Sequence, residues 1–178
     1  PIPIPHTRYP TAATIRVRMS TDLNELYQSV ILDHNRKPRN HGQPERFDAT
    51  ADGRNTLCGD ALTVWVALDG DTLADVRFVG EGCAISKASA SLMTQAVKGK
   101  SRAEAERLYE RFHALVTGRE APPAAGVRGE LGPLAALAGV SRFPIRVKCA
   151  SLAWHTLKAA LDRPAGAAAG DAAAVSTE

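Results

Sequence analysis

The 178 residues suffice for one domain, and a 44% hydrophobic content with few aromatics leaves the core to Leu, Val, Ile and Ala. No apolar run approaches the roughly 18–20 residues of a membrane span, so a membrane partner is not expected. The net charge of +3 belongs to residues 1–18, which hold Arg8, Arg16 and Arg18 and no acid. The rest of the chain is balanced, which argues against the clustered basic footprint of a nucleic-acid binder.

Residues 1–19 carry four prolines and no helical or strand period, and are expected to be a disordered extension. They show no secretory-signal pattern, so a reducing, cytoplasmic setting is expected. A first helix is predicted to start at Ser20, Thr21 or Asp22 as N-cap and to end near His34, ahead of Lys37-Pro38. Leu23, Leu26, Tyr27, Val30 and Ile31 mark its buried face. A polar loop follows. Three strands are then predicted: a short one at Phe47–Ala51, a β-rich run at Leu62–Leu68, and Ala74–Val79 after the turn Asp69-Gly70-Asp71.

Beyond Gly80 the pattern turns helical. Ala84–Lys98 is rich in small residues, with Gly99 as a stop signal. Ser101 with Glu104 three residues on forms a capping box for the next helix, whose stripe is Ala105, Leu108, Tyr109, Phe112, Leu115 and Val116. Gly118–Gly139 reads as an irregular insert holding a short helix at Leu134–Ala138. The last helix is expected from about Ser141–Pro144 to Leu161, and the Ala-rich tail 163–178 is expected to be disordered. The fold class is thus α+β: a single domain over residues 20–162, a three-stranded antiparallel sheet with helices packed on one face. Trp65 and Trp154 are expected in the core, and His34, His41, His113 and His155 in structural roles.

Three cysteines sit at the junctions of this plan: Cys58 in Asn55-Thr56-Leu57-Cys58-Gly59-Asp60, Cys83 after Gly80-Glu81-Gly82, and Cys149 in the last helix. An odd count argues against a disulfide framework, and there is no C-x-x-C. Each cysteine taken alone fits a buried filler as well as a ligand. Together with Asp60, however, three thiolates and a carboxylate make a reasonable tetrahedral set for zinc, with Asp60 the hard ligand and the easiest to displace. Cys83 lies just before a helix N-terminus, where the dipole favours thiolate, and Arg146 lies one helical turn before Cys149 and could offset the charge of such a site.

The segments NTLCGD, Gly80–Met93 (G-x-G-C-A-I-S-x-A-S-A-S-L-M) and Arg146–Trp154 (R-x-x-C-x-x-L-x-W), in this order, resemble the U-type iron–sulfur assembly proteins. The SufU-like branch fits better than the IscU-like one: Lys148 stands where IscU-like chains have histidine, and the Gly118–Gly139 insert is a SufU-like feature. Leu26–Asn40 fits as well. The resemblance implies a zinc-dependent sulfur acceptor, with zinc on Cys58, Asp60, Cys83 and Cys149. Its partner would be a PLP-dependent cysteine desulfurase, with delivery onward to the iron–sulfur assembly machinery. In that scheme Cys58 leaves zinc by exchange with a histidine of the partner and takes the terminal persulfide sulfur, and Arg146 assists the transfer. Two alternatives use the same residues: a scaffold carrying a transient iron–sulfur cluster, and a non-catalytic zinc-stabilised interaction module.

Overall fold

A computed structural model describes residues 25, 27–122, 129–162 and 173–177. The extension expected over 1–19, the helix start expected at 20–22 and the centre of the insert, 123–128, lie outside the described residues. Helix α1 is described over 27–36. It runs two residues past His34, because Pro38 restricts only the residue before it; Lys37 N–H still closes the last turn on Asp33 C=O at 2.8 Å.

The sheet is built from β1 (Ala49–Asn55), β2 (Asp60–Asp69) and β3 (Thr72–Glu81), paired antiparallel in sequence order. Strict alternation along β2 puts Leu62, Val64 and Val66 on the covered face and Thr63, Trp65 and Ala67 on the other. Trp65 is therefore half-buried on the outer face rather than in the core, with Thr50 and Arg77 as its cross-strand neighbours.

The sheet also has a fourth strand, where three were expected. Residues Ala173–Ser176 form β4, which pairs parallel with β1 in the order β3-β2-β1-β4. Composition hid this strand, because alanine and glycine dominate the tail; Val175 is its one β-prone residue, with Thr177 just beyond its end. Residues 163–172 lie outside the described residues.

Helices α2 (Ala84–Val97) and α4 (Pro144–Leu161) cover the inner face, and α3 (Arg102–Val116) packs outside them against α4 and a 3-10 helix at Gly132–Arg142. The capping box of α3 forms as expected. The small residues of α2 let α4 approach closely, and Ser89 Oγ donates to Ala150 C=O at 2.6 Å. Trp154 is fully buried and stacks on Phe112, ring centroids 4.9 Å apart. The core thus lies between the sheet and α4, which fixes the register of Cys149 against β1. Among the described residues no helix is long and apolar enough to cross a membrane.

Candidate functional site

The site is assembled at one end of the β1–β2 hairpin. Asn55 and Asp60 are the last cross-strand pair, and Thr56–Gly59 is the four-residue turn between them. Cys58 N–H donates to Asn55 C=O at 3.3 Å, and Gly59 adopts φ +69, a left-handed conformation that favours glycine. The tip is open: Leu57 is 61% exposed and Cys58 half-buried. Asp60, by contrast, is only 2% exposed.

Such a buried carboxylate needs partners. Cys83 N–H donates to Asp60 Oδ1 at 2.7 Å, and Cys83 Sγ lies 3.7 Å from Oδ2. Gly82 makes this approach possible. It sits at φ +143, and a Cβ there would come within 2.3 Å of Asp60 Oδ1. Cys83 is itself the N-cap of α2, its sulfur accepting from Ser86 N–H at 3.4 Å. The helix start thus falls where the sequence placed it, but the expected easy ionisation does not follow. Burial, the largest influence on Cys83, pushes its thiol up, and the nearby Asp60 charge adds to that against the helix-start hydrogen bonds.

Cys149 comes from α4 and is 1% exposed. Its Sγ lies 3.0 Å from Cys58 Sγ, donates to Ile145 C=O at 3.4 Å, and accepts from Asn55 Nδ2 at 3.4 Å. Burial pushes this thiol strongly up, and contacts with Cys58 and Asp60 and the charge of Cys83 act in the same direction. The ligand atoms of Cys58, Asp60 and Cys149 all lie within 4.8 Å of one another. Cys83 stands beside this trio, against Asp60. Arg146 does not point its charge into the cluster: it is exposed, and its guanidinium stacks 4.5 Å over the Phe143 ring. There it lines a groove of about 410 Å³ with Ile31, Leu32, Ile85 and Val140. The four histidines lie outside the trio. His34 Nδ1 pairs with Ser91 Oγ at 2.8 Å, His41 packs edge-on against Phe78, and His155 meets Tyr109 at 3.2 Å. His113 takes a hydrogen bond from Arg119 at 2.6 Å.

The donor set fits zinc. Two soft thiols and a carboxylate, with a third thiol adjacent, match its ligand preferences. Tetrahedral zinc at ordinary bond lengths sets its donors about 3.4–3.8 Å apart; the Cys83–Asp60 contact of 3.7 Å falls in that range, and the Cys58–Cys149 contact of 3.0 Å is shorter. Asn55 and Gly82 carry no thiol or carboxylate, and their types alone assign them no role at such a site. The signal for Asn55 was its position: a hairpin closing on Asp60 after four residues makes Asn55 the partner of the ligand strand. Its contact with Cys149, 94 residues away, is tertiary.

An α+β domain thus gathers thiols and a buried carboxylate from a hairpin turn, a helix cap and a second helix, a donor set suited to a metal ion. The chain is a member of the NifU-like N terminal domain family, whose model matches residues 26–150. It is 45% identical over 82% of its length to the iron–sulfur cluster assembly scaffold protein IscU of Streptococcus pyogenes serotype M1, covering 88% of that protein. It is 41% identical over 83% of its length to the zinc-dependent sulfurtransferase SufU of Bacillus subtilis (strain 168), covering 97% of it. Among solved structures, a candidate iron–sulfur cluster assembly scaffold protein for the SUF system of Fervidobacterium islandicum AW-1 superposes with a TM-score of 0.69 at 34% identity, covering 78% of this chain and 98% of that one.

Proposed function

We propose that this chain is a zinc-dependent sulfur acceptor that takes sulfur onto Cys58 from the persulfide of a PLP-dependent cysteine desulfurase and passes it to the iron–sulfur assembly machinery. The observation that carries this reading is the asymmetry of the trio. Three donors converge within 4.8 Å, yet only Cys58 sits in an open turn, while Asp60 and Cys149 are held in a strand and a helix. Zinc on Cys58, Asp60, Cys83 and Cys149 would keep the thiols deprotonated and shielded from oxidation.

In the transfer, the Cys58 thiolate attacks the terminal sulfur of the donor persulfide. The donor S–S bond breaks, the donor cysteine leaves as thiolate, and Cys58 becomes the persulfide. Gly59 lets the turn swing without core cost, Asp60 and Cys149 stay in place, and Arg146 at the groove rim meets the incoming donor. The similarity to the Bacillus sulfurtransferase supports this reading, as does Lys148 next to Cys149, which offers no imidazole to a cluster. The similarity to the Streptococcus scaffold supports a second one, in which the same residues carry a transient iron–sulfur cluster.

Metal analysis of the protein as purified, with its visible spectrum, separates them. One zinc per chain and no colour are expected; iron and sulfide with brown colour move the function to the scaffold. The decisive assay is desulfurase turnover with Cys58→Ala. We expect loss of activation to near background, and full activation by the variant would sink the sulfur-acceptor role. Zinc-dependent folding without any sulfur on Cys58 would reduce the chain to an interaction module.

A further inference from the structure

The tail lies outside the family match, which ends at residue 150, yet it runs to the edge of the site. Strand β4 lies parallel to β1 with Arg54 opposite Ser176, and Thr177 N–H donates to Arg54 C=O at 3.3 Å. One step further in the same register, Thr177 comes level with Asn55. That residue is fully buried and donates to Cys149 Sγ.

Two of the buried side-chain atoms without a hydrogen-bond partner among the described residues are Asn55 Oδ1 and Thr177 Oγ1. They are complementary. A carboxamide oxygen only accepts, and a threonine hydroxyl carries a rotatable donor. An unmet buried pair on neighbouring strands is an expensive arrangement unless the two can meet.

We propose that Thr177 is a positioning residue for the thiol site. Its hydroxyl closes onto Asn55 Oδ1, which orients the carboxamide so that Nδ2 points at Cys149 Sγ. The tail strand is then a strap built by this chain against its own site. When β4 is seated, Asn55 holds the buried ligand; when it lifts, the amide is free to rotate and Cys149 loses its donor. Hydrogen bonds that orient a ligand from behind commonly change metal affinity by about 10–100-fold, so a device one residue further out has room to act.

The inference rests on reading Cys149 as a site thiol, and the experiment separates the two. In the full-length, reduced, zinc-free protein, the rate of Cys149 alkylation by iodoacetamide is followed by peptide mass. In the zinc-loaded protein, the rate of zinc transfer to a chromogenic chelator is followed by absorbance. Thr177→Val keeps the shape and removes the donor. It should slow alkylation, because losing the N–H donor disfavours the Cys149 thiolate, and speed zinc release, each by about three- to tenfold, the size of one ordinary hydrogen bond. Thr177→Ser should stay within about twofold of the parent, and Asn55→Ala should shift each rate in the same direction at least as far as Thr177→Val. The double variant Asn55→Ala/Thr177→Val should add nothing to Asn55→Ala. Unchanged rates or faster alkylation in Thr177→Val, or a Ser variant shifted as far as the Val variant, overturns the proposal, as does a double variant whose effects multiply. A protein that binds no zinc removes the chelator readout and the functional reading together, while the alkylation rates still decide the role of Thr177.

Discussion

The two sides of the ligand cluster are built differently. Cys58 rides on a turn whose neighbours are an exposed leucine and a glycine in the left-handed region, with nothing within 4 Å of the Cβ position of Gly59. Cys149 and Asp60 are embedded, one in the helix that packs against β1 and the other as the first residue of β2, held by the Cys83 amide. A donor on a turn can leave and return without disturbing the core. A donor in the core cannot, because its departure would strip buried polar atoms of their partners. One cluster therefore sets a thiol on an open turn beside two donors held in the core.

The largest test of this difference is to remove one member from each side. Cys149→Ala should lower zinc affinity by more than the ~10–100-fold typical of changes behind a ligand, measured by competition titration. Cys58→Ala, in a turn outside the core, should destabilise the metal-free protein by no more than about 1 kcal/mol in a urea melt, less than Cys149→Ala. Equal stability losses in the two metal-free variants would break the comparison.

The two glycines sharpen it further. Gly82→Ala puts a methyl against the Asp60 carboxylate at a backbone angle that side chains rarely adopt, and should destabilise by about 1–3 kcal/mol with weakened zinc binding. Gly59→Ala meets open space and carries only the left-handed cost of about 1–2 kcal/mol. Thermal melts of both, with and without zinc, check the order. The fixed side should lose metal binding and the turn side should keep it.

The smallest effect is that of acid on the fold around the cradle. Burial, the first cause in each case, lowers the proton affinity of His34, His113 and His155, with Arg39, Arg119 and His113 respectively adding to it. The unfolded chain then takes up protons at the ordinary value of 6.5 while the folded chain resists. Their contribution is therefore complete above pH 6.5 and is lost as the pH falls through the lower folded values. The melting temperature of the metal-free protein should drop between pH 6.5 and about 5, above the carboxylate range. A flat profile there would show that these histidines are freely solvated.

Much of this protein was legible in the order of its residues. The capping box at Ser101 and Glu104, the turn at Gly70 and the proline opening α4 are local signals, decided within a few residues, and each stands where the sequence put it. So are the four residues proposed as ligands, because a motif records side chains whatever the fold does with them. Other features depend on partners distant in sequence. Trp65 faces outward because the register of β2 assigns it to the uncovered face, and hydrophobicity alone does not say which face that is. The Cys83 thiol is pushed up, since burial, helped by the Asp60 charge, outweighs the helix start that the sequence displayed. Strand β4 exists because β1 leaves an edge to pair with, and an alanine-rich tail carries no period that reveals a neighbour. Sequence thus determined the elements and the chemistry available to them. Only the tertiary structure decided which thiol lies in an open turn, which donors are buried, and that the tail pairs with β1 as far as Arg54, because burial and cross-strand register are properties of the whole chain.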